Sequence, residues 1–193
     1  QAAEDTYVKT DELTDNDTAA PKKDSVIPSK NQYEYQKQEL AAFCHFGMNT
    51  YTGSEWGNGK ENPNQFQLTN DFDEETYVKA IHDAGFKKLI ITAKHHDGFC
   101  IWPSEMTTHD TETAGYEGDV LEELSRACTK YNIDMGLYLS PWDVNSEYYG
   151  YKDKDGKKLV GADGQPLNGK TWDQVKQEDA LDYNEYYDNQ LKE

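Results

Sequence analysis

The chain has 193 residues, with 37 acidic against 19 basic side chains and a formal net charge of −18. That length supports one domain with a real core and is too short for two large ones. The charge opposes binding to nucleic acid or to an anionic membrane, and no apolar run approaches the roughly 20 residues that span a bilayer.

Aromatic residues make up 12% of the chain, including 14 Tyr and 4 Trp. Such rings suit a surface that stacks on the apolar faces of sugars, and they suit an ordinary Tyr-rich surface equally well. Cys44, Cys100 and Cys128 are odd in number, sit within apolar patterns and show no Cys-x-x-Cys spacing. They read as small core residues, not as zinc ligands or a redox pair. The opening Gln1-Ala2-Ala3 lacks a Met, and the expectation is a secreted or cell-surface protein whose signal peptide has been removed.

Residues 1–30 are polar, with Pro21 and Pro28, and read as an extended N-terminal arm before a domain over 31–193. A short helix over 31–40 leads into a strand over 41–47, apolar except for His45 near its end. Residues 48–68 form a Gly-, Asn- and Thr-rich loop around Glu55-Trp56-Gly57. Loops of about twenty residues in a compact domain are usually functional. Asp73 is the N-cap of a helix with Tyr77, Ile81 and Ala84 on one face and Gly85 at its end. A buried strand over 87–93, centred on Leu89-Ile90-Ile91, then breaks into Lys94-His95-His96-Asp97, with Gly98 to turn the backbone.

A second long loop covers 102–118. Asp119 caps a helix with Val120, Leu124, Ala127 and Cys128 on its apolar stripe. The third strand, 135–140, ends in Pro141-Trp142-Asp143. Asp-Gly and Asn-Gly pairs within 145–170 predict a small hairpin insertion. A helical pattern returns over 172–193, with Val175, Ala180, Tyr183, Tyr187 and Leu191 spaced to one face.

The order β-α-β-α-β-(insertion)-α predicts an α/β fold with a parallel sheet and a site at the C-terminal strand ends. About three βα units are present, whereas a closed (β/α)8 barrel needs eight and about 250 residues. The chain is therefore a small open sheet or the N-terminal portion of a barrel, and the uncapped end at 191–193 favours the second.

Four strand-end groups define the candidate site: His45, the pair His95 and His96, Tyr138, and Trp142 with Asp143; the first long loop adds Glu55 and Trp56. Metal binding fits poorly, because neighbouring His95 and His96 in strand geometry would point to opposite faces. The plain alternative makes one of the pair a core residue and the other a loop residue. A sugar site fits better, since neutral imidazoles donate and accept hydrogen bonds as hydroxyls do, and Trp56 or Trp142 can stack on a ring. No cofactor is called for. A non-catalytic sugar-binding module and a metal-dependent hydrolase or isomerase remain as alternatives.

Cys44-His-Phe-Gly-Met-Asn-Thr-Tyr51, Glu55-Trp56, the run from Ala84 to Ser104 containing Lys94-His-His-Asp-Gly-Phe99, and Gly136-Leu-Tyr-Leu-Ser-Pro-Trp-Asp143 resemble the N-terminal half of an α-L-fucosidase of glycoside hydrolase family 29. The Ser-Pro-Trp-Asp ending is similar to the branch preferring α-1,3/1,4-linked fucose. The match covers roughly 33–150 and leaves the arm and most of the insertion outside it. The resemblance implies a TIM-barrel fold and a retaining exo-glycosidase acting on fucosylated glycans. It also implies that His45, Glu55, Trp56, His95 and His96, and more loosely Tyr138, hold the fucose. Retention requires two carboxyl groups about 5–5.5 Å apart; in the resembled family both follow the strand that would come after Glu193, so the remainder of the catalytic domain is an expected partner. Asp97 and Asp143 are expected to fix their loops or orient neighbours. Asp143→Asn and His96→Ala are expected to weaken sugar binding or catalysis without affecting folding.

Overall fold

Three parallel strands in the order β1-β2-β3 carry the fold, with helices packed on one face. The structure is a computed structural model that describes residues 27–147, 149–153, 155, 157–161, 165–178 and 183–193. The expected arm falls largely on residues 1–26, outside the described residues.

Helix α1 (Lys30–Lys37) begins where the Ser29 hydroxyl accepts from the Gln32 amide at 3.3 Å and the Gln32 side chain accepts from the Ser29 amide at 2.8 Å, a reciprocal cap. Strand β1 (Ala41–Cys44) is shorter than the 41–47 expected, so His45 stands just beyond it. The loop expected over 48–68 is partly helical: it holds α2 (Met48–Thr52) and a 3-10 turn (Pro63–Gln65). Five residues are too few to display a helical period, which is why the sequence reads there as irregular.

Asp73 caps α3 (Glu74–Asp83) by accepting from the Thr76 amide at 2.8 Å. Asp119 caps α4 (Val120–Lys130) by accepting from the Leu121 and Glu122 amides at 2.8 and 3.1 Å. Between these helices and the sheet lies the main core, in which Val78, Leu89, Ile91, Val120 and Leu124 are buried with Phe66 and Phe99. Each such aliphatic side chain contributes about 1.5–3 kcal/mol.

Strand β2 (Lys88–Lys94) lies between β1 and β3 (Asp134–Leu139), pairing Leu89 with Ala42 and Met135. Its register shifts between Thr92 and Lys94, so that Ala93 and Lys94 are both buried instead of alternating.

The expected hairpin insertion takes the form of two isolated antiparallel bridges, Lys152 with Lys158 and Val160 with Pro166. Within the helix expected over 172–193, the described residues are helical over α5 (Trp172–Glu178) and α6 (Tyr183–Gln190), and residues 179–182 between them lie outside the described residues. Ala180 of the expected stripe lies outside the described residues. Val175 is fully buried, but Leu191 is 59% exposed, and Tyr186 and Gln190 are buried instead. Tyr183 and Tyr187 are half-buried, with their rings beside Lys94 at the polar end of β2.

Candidate active site

The site begins where β2 ends. His95, His96 and Asp97 lie on a turn closed by the Gly98 amide donating to the His95 carbonyl at 3.0 Å. Gly98 has φ +80, and a Cβ there would collide with Asp143 Oδ1, so the position requires glycine. Leaving the strand before His95 removes the strict alternation of side chains. The two imidazoles therefore share one side, with centroids 4.0 Å apart, against the opposite-face geometry expected for a strand.

Around that pair the strand ends converge. His45 lies 4.4 Å from His95, and Tyr138 stacks 5.9 Å from it on the other side. Trp142 lies 4.7 Å from His96, while Trp56 packs edge-on 5.8 Å from His96 and 5.4 Å from Trp142. Thr92 holds the His45 end in place by accepting from the Phe46 amide at 3.0 Å and donating to its carbonyl at 2.7 Å. Glu55 is exposed, yet its charge acts on both His95 and His96. The structure thus gathers six of the seven candidate side chains into one cluster of rings, with Glu55 at its margin.

Burial, then the charges of His96 and His45, press His95 down to about 4, against an opposing pull from Glu55. Burial also lowers His96, with Glu55 opposing and His45 assisting. Both rings are neutral at neutral pH. The His95 Nδ1 atom is buried, and although the Glu55 backbone approaches the ring, Nδ1 has no partner within hydrogen-bonding geometry. His96 Nδ1 lies 2.7 Å from Ser140 Oγ. That hydroxyl donates its one proton to the Trp142 carbonyl at 2.8 Å and accepts from the Trp142 amide at 3.1 Å. With its proton on the Trp142 carbonyl, the hydroxyl accepts from His96 Nδ1–H, and in that arrangement Nε2 is the acceptor. Ser140, not singled out from the sequence, sets both this tautomer and the path of the chain at Trp142. A hydroxyl directly after the third strand was the available signal.

Asp143 fixes its loop as expected, and its partner is the buried Lys94. Lys94 is fully buried; its Nζ donates to Asp143 Oδ2 at 3.0 Å and to Gln190 Oε1 at 2.7 Å, with the rings of Tyr183, Tyr186 and Tyr187 5.4–5.9 Å away. Asp143 Oδ1 accepts from the Asn145 and Ser146 amides at 3.1 and 2.8 Å. Asp143 is therefore a buried clamp between the β2 and β3 exits. Because its charge is matched by Lys94, Asp143→Asn is expected to cost stability as well as activity. Asp97 fixes its own turn, accepting from the Phe99 amide at 2.8 Å. Glu193 ties the chain after α6 to the loop after β2, accepting from Trp102 Nε1 at 2.8 Å, Ser104 Oγ at 2.9 Å and the Glu105 amide at 2.8 Å.

Among the described residues, no three His, Cys, Asp or Glu side chains converge as a metal site, and no helix is long and apolar enough to cross a membrane. The cluster is a ring-walled surface in which His95 and His96 are neutral at neutral pH.

Comparison with known proteins agrees with that chemistry. The profile of the Alpha-L-fucosidase family matches residues 31–193. Alpha-L-fucosidase 1 of Arabidopsis thaliana is 46% identical over 127 residues, which cover 64% of this chain and 25% of that protein. A Ruminococcus gnavus GH29 fucosidase solved in complex with fucose is 53% identical, with a TM-score of 0.75 over 96% of this chain and 35% of its own. A glycoside hydrolase 29 family member from a rumen bacterium is 40% identical, with a TM-score of 0.61 over 64% of this chain and 23% of its own. The chain thus spans about a quarter to a third of the length of these relatives. From the match over 31–193 and these likenesses, the chain belongs to the alpha-L-fucosidase family, glycoside hydrolase family 29.

Proposed function

We propose that the full-length protein is a retaining exo-α-L-fucosidase that releases terminal L-fucose from glycans, and that this chain supplies the fucose-holding half of its pocket. The observation that carries the reading is the continuous run of rings His45–His95–His96–Trp142–Trp56 at the C-terminal ends of three parallel strands. In this reading His96 Nε2 accepts from one sugar hydroxyl, and the unpartnered His95 Nδ1 pairs with another. Trp56, 55% exposed, forms an apolar wall for the sugar's methyl group. Glu55 accepts from a hydroxyl at the margin.

The carboxyl pair that breaks the bond is supplied by the remainder of a (β/α)8-like barrel. Two observations support that architecture. Phe43 on β1 and Leu137 on β3 are each 57% exposed, and β1 and β3 each have one unpaired edge among the described residues. A branch preference for α-1,3/1,4-linked fucose and export from the cell belong to the same proposal. Fractionation of the source cells checks the second.

The test is hydrolysis of p-nitrophenyl α-L-fucoside by the full-length protein, with NMR of the first-formed anomer. Turnover with initial release of α-L-fucose is expected. His96→Ala is expected to lower kcat/KM by about tenfold, the loss of one well-placed hydrogen bond. A folded full-length protein that shows no turnover above buffer would overturn the proposal; fucose binding without turnover would identify a sugar-binding module instead.

A further inference from the structure

Glu55 and Trp56 are both exposed, unlike the strand-end groups they face. Side chains so open to solvent gain little from burial. Their place against His95 and His96 is therefore set by the backbone that carries them. That backbone, residues 57–61, is pinned from two sides. Gly57, directly after Trp56, has φ +65, and a Cβ there would lie 2.6 Å from Asp97 Cβ and 2.7 Å from Glu61 Oε1. The chain thus threads a slot between the histidine turn and the Glu61 side chain, and the slot admits only glycine.

Glu61 closes one side of the slot. Its Oε1 accepts from the Asn58 amide at 2.6 Å, and its Oε2 is buried with no hydrogen-bond partner among the described residues. Its charge acts on Asp97 and on His109, both buried. Turning a carboxylate oxygen into protein costs stability, and here it braces the loop against the turn. Asn145 closes the other side. Its Nδ2 donates to the Gly59 carbonyl at 2.8 Å, while the amide of its neighbour Val144 donates to the His96 carbonyl at 3.0 Å. Two consecutive residues beyond β3 therefore hold the Trp56 loop and the His95–His96 turn at once. The Asn145 amide donates to Asp143 Oδ1 at 3.1 Å, so this staple is anchored in the buried Lys94–Asp143 pair.

We propose that Glu61 and Asn145 are positioning residues of the candidate site: they clamp residues 57–61 between the β2 and β3 exits and so hold Glu55 and Trp56 against the two histidines. The proposal rests on the fucosidase reading and deepens it, because neither residue meets the sugar and both act through the loop.

The experiment uses the full-length protein and two readouts. On p-nitrophenyl α-L-fucoside, Glu61→Ala and Asn145→Ala are each expected to raise KM about fivefold, the effect of one hydrogen bond. kcat is expected to stay within about twofold, because a displaced Glu55 and Trp56 weaken ground-state and transition-state binding alike. Glu61→Gln keeps an oxygen for the Asn58 amide and is expected to recover most of the Glu61→Ala loss. The second readout needs no substrate. Trp56 packs edge-on to His96 at 5.8 Å, so the His96 ring signal in NMR of histidine-labelled protein reports the place of the indole. In Glu61→Ala and Asn145→Ala that signal is expected to move in the direction that Trp56→Ala moves it. Should one variant fail to fold, the other still reports on the clamp. A folded variant with unchanged KM, a fall confined to kcat, or a His96 signal that stays in place would overturn the proposal. If the parent protein shows no turnover, the fucosidase reading fails by itself, and the His96 signal still decides whether the clamp positions Trp56.

Discussion

A lysine with no exposed surface is stable only when its charge is matched and its donors are used. Lys94 meets both conditions, with a carboxylate at 3.0 Å, an amide oxygen at 2.7 Å and three tyrosine rings around the remaining space. Removing it leaves Asp143 buried and uncompensated. Lys94→Met is therefore expected to destabilise the protein by about 3–5 kcal/mol. Adding Asp143→Asn should recover part of that loss, because the amide no longer carries a charge yet still accepts from the Asn145 and Ser146 amides. Urea denaturation of the two single variants and the double variant measures the coupling. Additive effects would show that the pair does not act as a unit. The sequence displays Lys94 only as the residue at which an apolar strand turns polar. Nothing local distinguishes a buried lysine from one reaching solvent, because its partners lie 49 and 96 positions away.

At the scale of elements, the two amphipathic helices α3 and α4 and their aspartate caps are visible in the sequence, because a 3.6-residue apolar period and a cap residue are local signals. Strand β2 is visible as an apolar run with Gly98 to turn the chain after it; its bulge and the path of the exit turn are not. Those two features bring His95 and His96 to one side and stack Ala93 and Lys94 inward. Gly98 is the hinge of this arrangement. Gly98→Ala forces a side chain onto a positive φ and against the Asp143 carboxylate. A loss of about 1–3 kcal/mol is expected from the backbone state alone. Thermal melting reads that loss, and a variant as stable as the parent would show that the turn relaxes freely.

For the whole molecule, pH is the condition that reaches every part of the site at once. His95 is depressed to about 4, and burial lowers His96 and His109 as well. Each imidazole binds protons more readily when unfolded, so its contribution to stability grows as pH rises from about 4 toward 6.5. Asp97 acts in the reverse sense. Burial first, then Glu61 and Asp143, push it up to about 6, opposed by its bond from Phe99 and by Lys94. Its folded state holds a proton that the unfolded chain releases, so its contribution is lost as pH rises from 3.8 through about 6. The two effects offset each other over nearly the same interval. Asp97→Asn keeps the acceptor for the Phe99 amide and removes the opposing titration. Its stability should therefore climb more steeply than the parent's between pH 4 and 6.5, as read from urea midpoints; parallel profiles would contradict this assignment. By itself, the sequence determined the alternation of strands and helices, the strand that forms the centre of the sheet, the helix caps and the resemblance to a fucosidase. These are written in short-range periodicity and contiguous motifs. Only the tertiary structure decided which polar strand-end residues are buried clamps and which face the site. The reason is physical: a side chain's role there is set by partners brought together from distant parts of the chain, and burial changes the charge and hydrogen bonding of each.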